Sequence, residues 1–527
     1  MSFQTEKKGL AGVITASSVG TLIEWYDFYI FGSLATVIAA KFFPSGNSVV
    51  SLLSTLATFA AGFVVRPFGA IVFGRLGDLI GRKYTFLLTL ILMGSSTFLI
   101  GCVPTYSKIG FFAPLLVLLL RLIQGLALGG EYGGAATYVA EHSPAERRGF
   151  WTSWIQTTAT LGLFISLLVI IFTKSQLSEK SFDDWGWRLP FWISIIMVAI
   201  SVVIRMRMQE SPLFAKVKAE GKTSVNPLKE SFGHKLNFKF VLLALFGATM
   251  GQGVVWYTGQ FYALSFIQST LMIDVSQSSK LMMIAIAFAT PFFIFFGALS
   301  DKIGRKWIML TGMLIAILSY RSIYTAMFEA GSIKKKQEIT SAAIINATII
   351  VDASDKAEPG DSIKVTTINK SYTDGTSYKE VQKLKLHADP AKVNAKTDTT
   401  VTKTVKLDNH SLRILIICVF IQIFFVTMVY GPIAAFLVEL FPVKIRYTSM
   451  SLPYHIGNGI FGGLLPAVAT FLVTKANQAN ELAVKAGKAI PYDKPYLEGL
   501  WYPIILGAVC FVIGLLYING KDNRIND

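Results

Sequence analysis

Seven stretches of this chain, 86–103, 112–130, 189–204, 240–257, 281–299, 411–438 and 501–518, are almost wholly apolar. Each is long enough, or nearly so, to cross a hydrocarbon core of about 30 Å as a helix. Within lipid a segment must satisfy its own backbone N–H and C=O groups, and a helix does that. The composition agrees: apolar residues make up 53% of the 527 and charged residues 15%, against roughly 25% charge in soluble chains. Such a chain could not cover a water-facing surface. A soluble enzyme, a disordered protein and a fibrous one are excluded, and an all-α polytopic membrane protein remains.

Twelve spans are expected, at 11–40, 50–73, 85–103, 112–139, 152–173, 189–206, 240–268, 281–299, 307–328, 411–438, 448–473 and 500–518. The links 74–84, 140–151, 205–239, 300–306 and 440–447 are basic, with Arg75, Arg82, Lys83, Arg147, Arg148, Lys302, Arg305, Lys306, Lys444 and Arg446 among their charges, whereas 41–49 and 104–111 carry only Lys41 and Lys108. The positive-inside rule puts the basic links and both termini in the cytoplasm. That accounts for the net charge of +17 without a nucleic-acid partner. The start, MSFQTEKKGL, runs straight into the first span, so no cleaved signal peptide is expected. Cys102, Cys418 and Cys510 lie in or beside apolar runs and read as buried thiols, with no metal spacing.

The chain repeats itself. GRLGDLIGRK (74–83) and GALSDKIGRK (297–306) agree at seven of ten positions, 223 residues apart. EHSPAERR (141–148) and ELFPVKIR (439–446) share E-x-x-P-x-x-x-R at an offset of 298. The second half therefore holds an insertion of about 75 residues between these loops, and the polar, Lys- and Thr-rich segment 331–409 fits it. The division is a six-helix half over 1–206, a cytoplasmic linker 207–239, helices 7–9 over 240–330, the insertion, and helices 10–12 over 410–527. IKVTTI (363–368), VQKLKL (381–386) and VTKTVKL (401–407) alternate like strands, AAIINATIIVDA (342–353) is a further candidate, and Asp374-Gly375 reads as a turn. A small external β-rich domain is expected between helices 9 and 10. Its alternation suits a sheet burying one face against the carrier's outer mouth. Both halves are complete without it, so the transport cycle is not expected to need it, and its expected part is to tune access or to bind an external partner.

The duplicated G-x-x-x-D-x-x-G-R-K loop resembles the signature between helices 2–3 and 8–9 of the major facilitator superfamily. Glu24-Trp25-Tyr26-Asp27-Phe28, Arg66-Pro67-Phe68-Gly69, RLIQGLALGGEYGGAATYVAEHSPAERRG (121–149) and WGWRLPF (185–191) are similar to the metabolite:H⁺ symporter family, which carries shikimate, 2-oxoglutarate, citrate, and proline or betaine. The resemblance spans all twelve helices and leaves 331–409 unmatched. It implies two pseudo-symmetric halves and alternating access in a bacterial-type inner membrane, with a small molecule and H⁺ as partners.

Charges inside a bilayer are costly and mark functional sites. Five fall well inside the spans, away from their ends: Glu24, Asp27, Arg66, Arg121 and Glu131. Carboxylates near an arginine can load and release a proton as burial changes; Asp27 and Arg121 carry this role by resemblance, with Glu24 and Glu131 beside them. The other reading is an ion pair tying helices 1 and 4. Arg66 offers a bidentate fork for a carboxylate, or else anchors its helix. Trp25, Tyr26, Gln124, Gln252, Trp256, Tyr257, Gln260, Tyr430, Tyr454, His455 and Asn458 are candidates to line a small-molecule site. Gly74, Asp78, Gly81, Arg82, Asp301, Gly304, Arg305, Glu141, Arg148, Glu439 and Arg446 read as gate elements between the halves. No cofactor is expected, and no phosphate loop or nucleophile motif points to an enzyme. The function expected is proton symport of a small organic acid; a zwitterion or sugar-acid symporter, an exchanger, and a transporter-like sensor are the alternatives.

Overall fold

The computed structural model describes residues 3–44, 48–79, 82–206, 215, 219–220, 224, 226–351, 362–386 and 399–519. Helix α1 (Phe3–Ser33) bends at Leu34 into Ala35–Phe42. The others are α2 (Val50–Leu76), α3 (Arg82–Cys102), α4 (Phe112–His142), α5 (Ala145–Gln176), α6 (Gly186–Met206), α7 (Lys235–Thr270), α8 (Val275–Ile303), α9 (Arg305–Gly331), α10 (Asn409–Leu440), α11 (Arg446–Lys485) and α12 (Pro495–Tyr517). Among the described residues, ten are long and apolar enough to cross a membrane, and the bent pair in α1 makes an eleventh. The apolar part of α3, Leu87–Cys102, is shorter than the others. The outward faces carry Phe68, Phe172, Phe288, Leu318 and Leu516, the apolar rim that a lipid-facing bundle presents. Cys418 and Cys510 are buried as expected, but Cys102 is exposed: it sits at the end of α3, beyond the packed interior.

Two local features decide where side chains end up. The first is the crossing of α2 and α4. A Cβ at Gly125 or Gly129 would collide with the backbone carbonyls of Gly62 and Arg66, so only glycine lets the two helices approach this closely. The crossing sets Arg66 of α2 beside Arg121 of α4. The second is the irregularity of α7 and α11, which contain π-helical turns at Leu245–Thr249, Thr258–Tyr262, Phe266–Thr270 and Ile456–Gly462. Such turns are frequent at functional sites. Here Phe261 lies within the second of them, Tyr257 just before it and Tyr454 just before the last, and all three side chains are buried.

Between α9 and α10 the chain forms an antiparallel meander of β1 (Ile344–Val351), β2 (Ser362–Ser371), β3 (Ser377–Leu386) and β4 (Thr399–Lys406), in the order β1-β2-β3-β4. The β2–β3 turn contains Gly375 at φ 88°, a conformation glycine adopts freely. The sheet is a single layer. It meets the bundle through one edge and one turn, not through a buried face as its alternating pattern suggested. Val405 N–H donates to Met272 C=O (2.8 Å), and Asp274 N–H donates to Val405 C=O (2.9 Å). Gln277 exchanges hydrogen bonds with the Leu407 backbone at 2.8 and 2.9 Å. Lys336, almost buried, holds Asp374, Asp408 and the Ser411 hydroxyl together.

Partial burial raises the pKa of Asp408, but bonds from the Ser411 hydroxyl, the Ser411 and His410 N–H groups and Lys336 outweigh it and hold the carboxyl below its usual range. Asp374 is lowered in the same way, by Lys336 and Thr376 against its burial. A carboxyl depressed by folding stabilises fully above its unfolded pKa of about 4 and loses that contribution as pH falls through the lower folded value. We expect the sheet to hold firmly at pH 7 and to loosen between about pH 4 and 2. Hydrogen exchange of β3 and β4 at pH 7 and pH 3 checks this. Lys336→Met should give the faster exchange already at pH 7.

Candidate functional site

Helices α1, α2, α4, α7, α10 and α11 enclose a core in which Arg66 and Arg121 are fully buried. Phe28 of α1 lies between them, its ring 4.3 Å from the Arg66 guanidinium carbon and 4.2 Å from that of Arg121. Phe63 covers Arg66 at 3.9 Å; Phe31 and Phe59 cover Arg121 at 4.7 and 4.9 Å. Arg121 donates to Gln124 Oε1 (2.7 Å) and to Phe28 C=O (3.4 Å), and Gln124 is held by Thr97 at 2.6 Å. Among the described residues no Arg66 nitrogen makes a hydrogen bond of strict geometry, though the Tyr257 phenol stands within hydrogen-bonding reach. The Tyr257, Tyr29 and Tyr454 phenols and the His455 imidazole face it electrostatically. Both His455 nitrogens are also buried without a partner, and Tyr430 and Tyr454 share a hydrogen bond of 2.7 Å.

Asp27 does not pair with Arg121. Its two oxygens are buried without a hydrogen-bond partner, and the guanidinium turns instead to Gln124 and Phe28. Glu24 and Glu131 are joined through a residue absent from the expected intramembrane charges: Arg205 at the end of α6 stands 2.5 Å from Glu24 and 3.5 Å from Glu131. Arg205 falls on the boundary between span and basic link, where topology alone explains an arginine. Its place one turn beyond Ser201, on the inward face of α6, is the signal that could have revealed it.

Of the proposed lining, Trp25, Trp256, Tyr257, Tyr430, Tyr454 and His455 gather around Arg66. Trp25 stacks on Tyr29 at 5.0 Å, and Tyr29 on Trp256 at 5.5 Å. The rest point elsewhere. Tyr26 donates to Pro190 C=O at 2.7 Å. Gln124 orients Arg121. Gln252 and Asn458 satisfy each other at 3.0 and 2.8 Å, and Gln260 reaches Thr160 at 3.3 Å. Tyr29, Phe28, Phe59, Phe63, Phe261 and Tyr132 are additions. Tyr29 stands one turn after Trp25, which places it on the same face.

Two ends of the bundle differ. At the end carrying the duplicated loops the halves are locked together. Asp301 accepts from Gly149 N–H and Phe150 N–H, both at 2.8 Å, at the start of α5. Arg305 pairs with Asp301 (2.6 Å) and Glu439 (3.1 Å); Glu439 also meets Arg148 (3.8 Å), and Arg446 meets Glu141 (3.5 Å). Gly304 turns the chain at φ 93°, and Gly74 packs on Tyr447. Gly81 and the side chains of Asp78 and Arg82 lie outside the described residues. At the sheet end, Phe59 and Phe261 (5.3 Å apart) cover the arginine core, and an open cavity of about 1000 Å³ lies nearby.

The two-half bundle, its duplicated clasp and its buried central charges define a carrier. The chain belongs to the major facilitator superfamily of secondary transporters: the profile described as Major Facilitator Superfamily matches residues 17–350. It is 28% identical over 513 residues to the alpha-ketoglutarate permease of Escherichia coli K12, covering 97% of this chain and 95% of that protein. It is 34% identical over 316 residues to the proline/betaine transporter of Salmonella typhimurium, covering 58% and 62%. These relatives are transporters, not enzymes, consistent with the metabolite:H⁺ symporters. The solved proton:xylose symporter XylE superposes with a TM-score of 0.66 at 14% identity, covering 98% of each chain, a likeness of fold.

Charge-assisted hydrogen bonds are worth about 1.5–3 kcal/mol each, so Asp301→Asn should release the loop end. With a cysteine at Ser153→Cys, thiol labelling in detergent is expected to rise about tenfold or more. Unchanged labelling would remove Asp301 from the clasp.

Proposed function

We propose that the chain is a proton-coupled symporter of a small organic acid, a mono- or dicarboxylate, working by alternating access with twelve spans in two six-helix halves. The observation that carries this reading is the Arg66–Arg121 pair. Among the described residues neither guanidinium meets a carboxylate, and the neighbours of Arg66 are neutral: the Tyr257 phenol and the Phe28 and Phe63 rings. A buried, unpaired charge is strongly unfavourable, and a substrate carboxylate would complete it in bidentate fashion. Trp25, Tyr29, Trp256, Tyr257 and Tyr454 would then shape the pocket, and His455 would offer a further polar contact.

Asp27 and Glu24 share one face of α1, three residues apart, and form the proton site in this reading. Glu24 is balanced by Arg205, while Asp27 is free to respond as a substrate anion arrives or leaves at the arginines. Arg121 sets the field, and Glu131 ties α4 to the same network. The clasp of Asp301, Arg305, Glu439, Arg148, Arg446 and Glu141 closes the cytoplasmic side, with both termini on that side and the sheet external. The host membrane is a bacterial-type inner membrane, as for the bacterial relatives.

A zwitterion such as proline or betaine is the second reading. The stacked Trp25–Tyr29–Trp256 rings favour it, since an aromatic face attracts a cation while Arg66 takes the carboxylate.

Proteoliposome uptake of labelled 2-oxoglutarate, citrate, proline and betaine, with and without a pH gradient, tests the function. Asp27→Asn should abolish gradient-driven accumulation and spare exchange; accumulation at the wild-type rate would refute the proton role. Arg66→Lys keeps the charge and loses the fork, so apparent affinity should fall about tenfold or more. Unchanged affinity would make Arg66 a helix anchor. Cysteines placed at 355–360 should label from outside intact cells; labelling only from the cytoplasmic side would overturn the orientation.

A further inference from the structure

The cavity at the sheet end is built by two parts of the chain that the superfamily repeat does not pair. Its helical wall comes from α7, α11 and the start of α12, including Ser265, Ser269 and Tyr496. Its other wall is the insertion and its leading edge: Lys334, Lys335, Tyr378 and Lys403. The charges facing it are Lys334, Lys335, Lys403 and Lys485 against Glu481 and Asp493, an excess of two positive charges. Ser265, Ser269 and Leu52 also line the narrower cleft that continues inward to Phe59 and Phe261. Behind that aromatic seal stand Arg121 and Arg66.

The basic wall is fixed in place. Strand β4, which carries Lys403, is bonded through Val405 to Met272 and Asp274 in the turn between α7 and α8. Asp274 also reaches across the halves to Lys174 at 3.5 Å. The sheet is thus joined to the helix that supplies Phe261.

We propose that the insertion and the carrier's helices together form an antechamber for small organic anions, in which Lys334, Lys335 and Lys403 concentrate the anion in front of the Phe59–Phe261 seal. The proposal extends the organic-acid reading above, and it assigns the insertion a part in uptake that its absence from the repeat did not suggest. A concave site with an excess of one sign of charge and low-dielectric walls focuses the field and raises the local concentration of counter-ions. The effect is on capture, not on the central site, and it must weaken with salt.

The test reads the field directly and needs no knowledge of the substrate. In a Cys102→Ser background, where the remaining native thiols of Cys418 and Cys510 are buried, a cysteine at Ser269→Cys is modified in purified full-length protein by a thiosulfonate reagent bearing a sulfonate and by one bearing a trimethylammonium group. We expect the anionic-to-cationic rate ratio to exceed that of a free small thiol by about threefold or more. The ratio should fall toward the free-thiol value in Lys334→Gln/Lys335→Gln/Lys403→Gln and in 1 M salt, at about 3 Å screening length. Lys403→Glu alone should lower it as well, should the triple variant fold poorly. A ratio equal to the free thiol, or one indifferent to these lysines, overturns the antechamber. If the uptake panel returns only a zwitterion, the organic-acid reading fails while this ratio still decides the antechamber.

Discussion

Two guanidinium groups in a low-dielectric interior govern the rest of this structure. They repel each other, and each is costly to keep from water. The ring of Phe28 packs against both, its centroid 4.3 and 4.2 Å from the two guanidinium carbons. A desolvated cation on an aromatic face gains about 2 kcal/mol, so one ring helps to stabilise both charges. The ring stands on α1 next to Asp27, which brings the central carboxyl into the same neighbourhood without a contact. The close crossing of α2 and α4 is needed for this arrangement, and glycine at 125 and 129 is needed for the crossing. A helix at ordinary separation would move Arg121 away from Phe28.

How much of this could be seen in the sequence follows from the range of each interaction. Span positions depend on runs of like residues, which a window detects, and the duplicated loops gave the halves and the bounds of the insertion. The strands showed through their alternation, and β1–β4 lie within a few residues of the segments marked. Side-chain partners depend on register between distant helices, and there the reading was partial. Trp25 and Tyr26 are adjacent in sequence, yet a step of about 100° sends one to Arg66 and the other to Pro190. Gln252 and Asn458 each look like free polar lining until the two helices are placed side by side and the amides meet. The π-helical turns of α7 and α11 leave no period in the sequence, and all seven residues of WYTGQFY are buried, so apolar spacing does not single out those near Arg66. Arg205 was hidden by its own plausibility as a topology charge.

The two ends of the bundle use different chemistry for the same mechanical purpose. At the loop end the contacts are charged and directional: a carboxylate on the first N–H groups of α5, where a helix dipole favours it, and arginines shared between acids. Such contacts open when a charge is moved or neutralised. At the sheet end the core is covered by Phe59 and Phe261, which close by shape and exclusion of water. Under the alternating-access reading proposed above, this difference matters, because a change in charge at the centre or the clasp does not act equally on an aromatic seal.

The insertion fits where it does because helix ends leave backbone groups unsatisfied. At the end of α7 the chain turns through Met272 at φ 58°, the one non-glycine residue with positive φ among those described, a conformation of appreciable cost for an L-residue. The Met272 carbonyl and the Asp274 N–H are the groups that β4 takes up. The strand therefore satisfies two backbone groups and holds the strained turn with the same pair of bonds, while Asp274 caps α8 at Ser276 and Gln277. A sheet attached in this way is coupled to the turn between α7 and α8 through the backbone. Any motion of α7 that changes the Met272–Asp274 turn must either carry β4 with it or break those bonds.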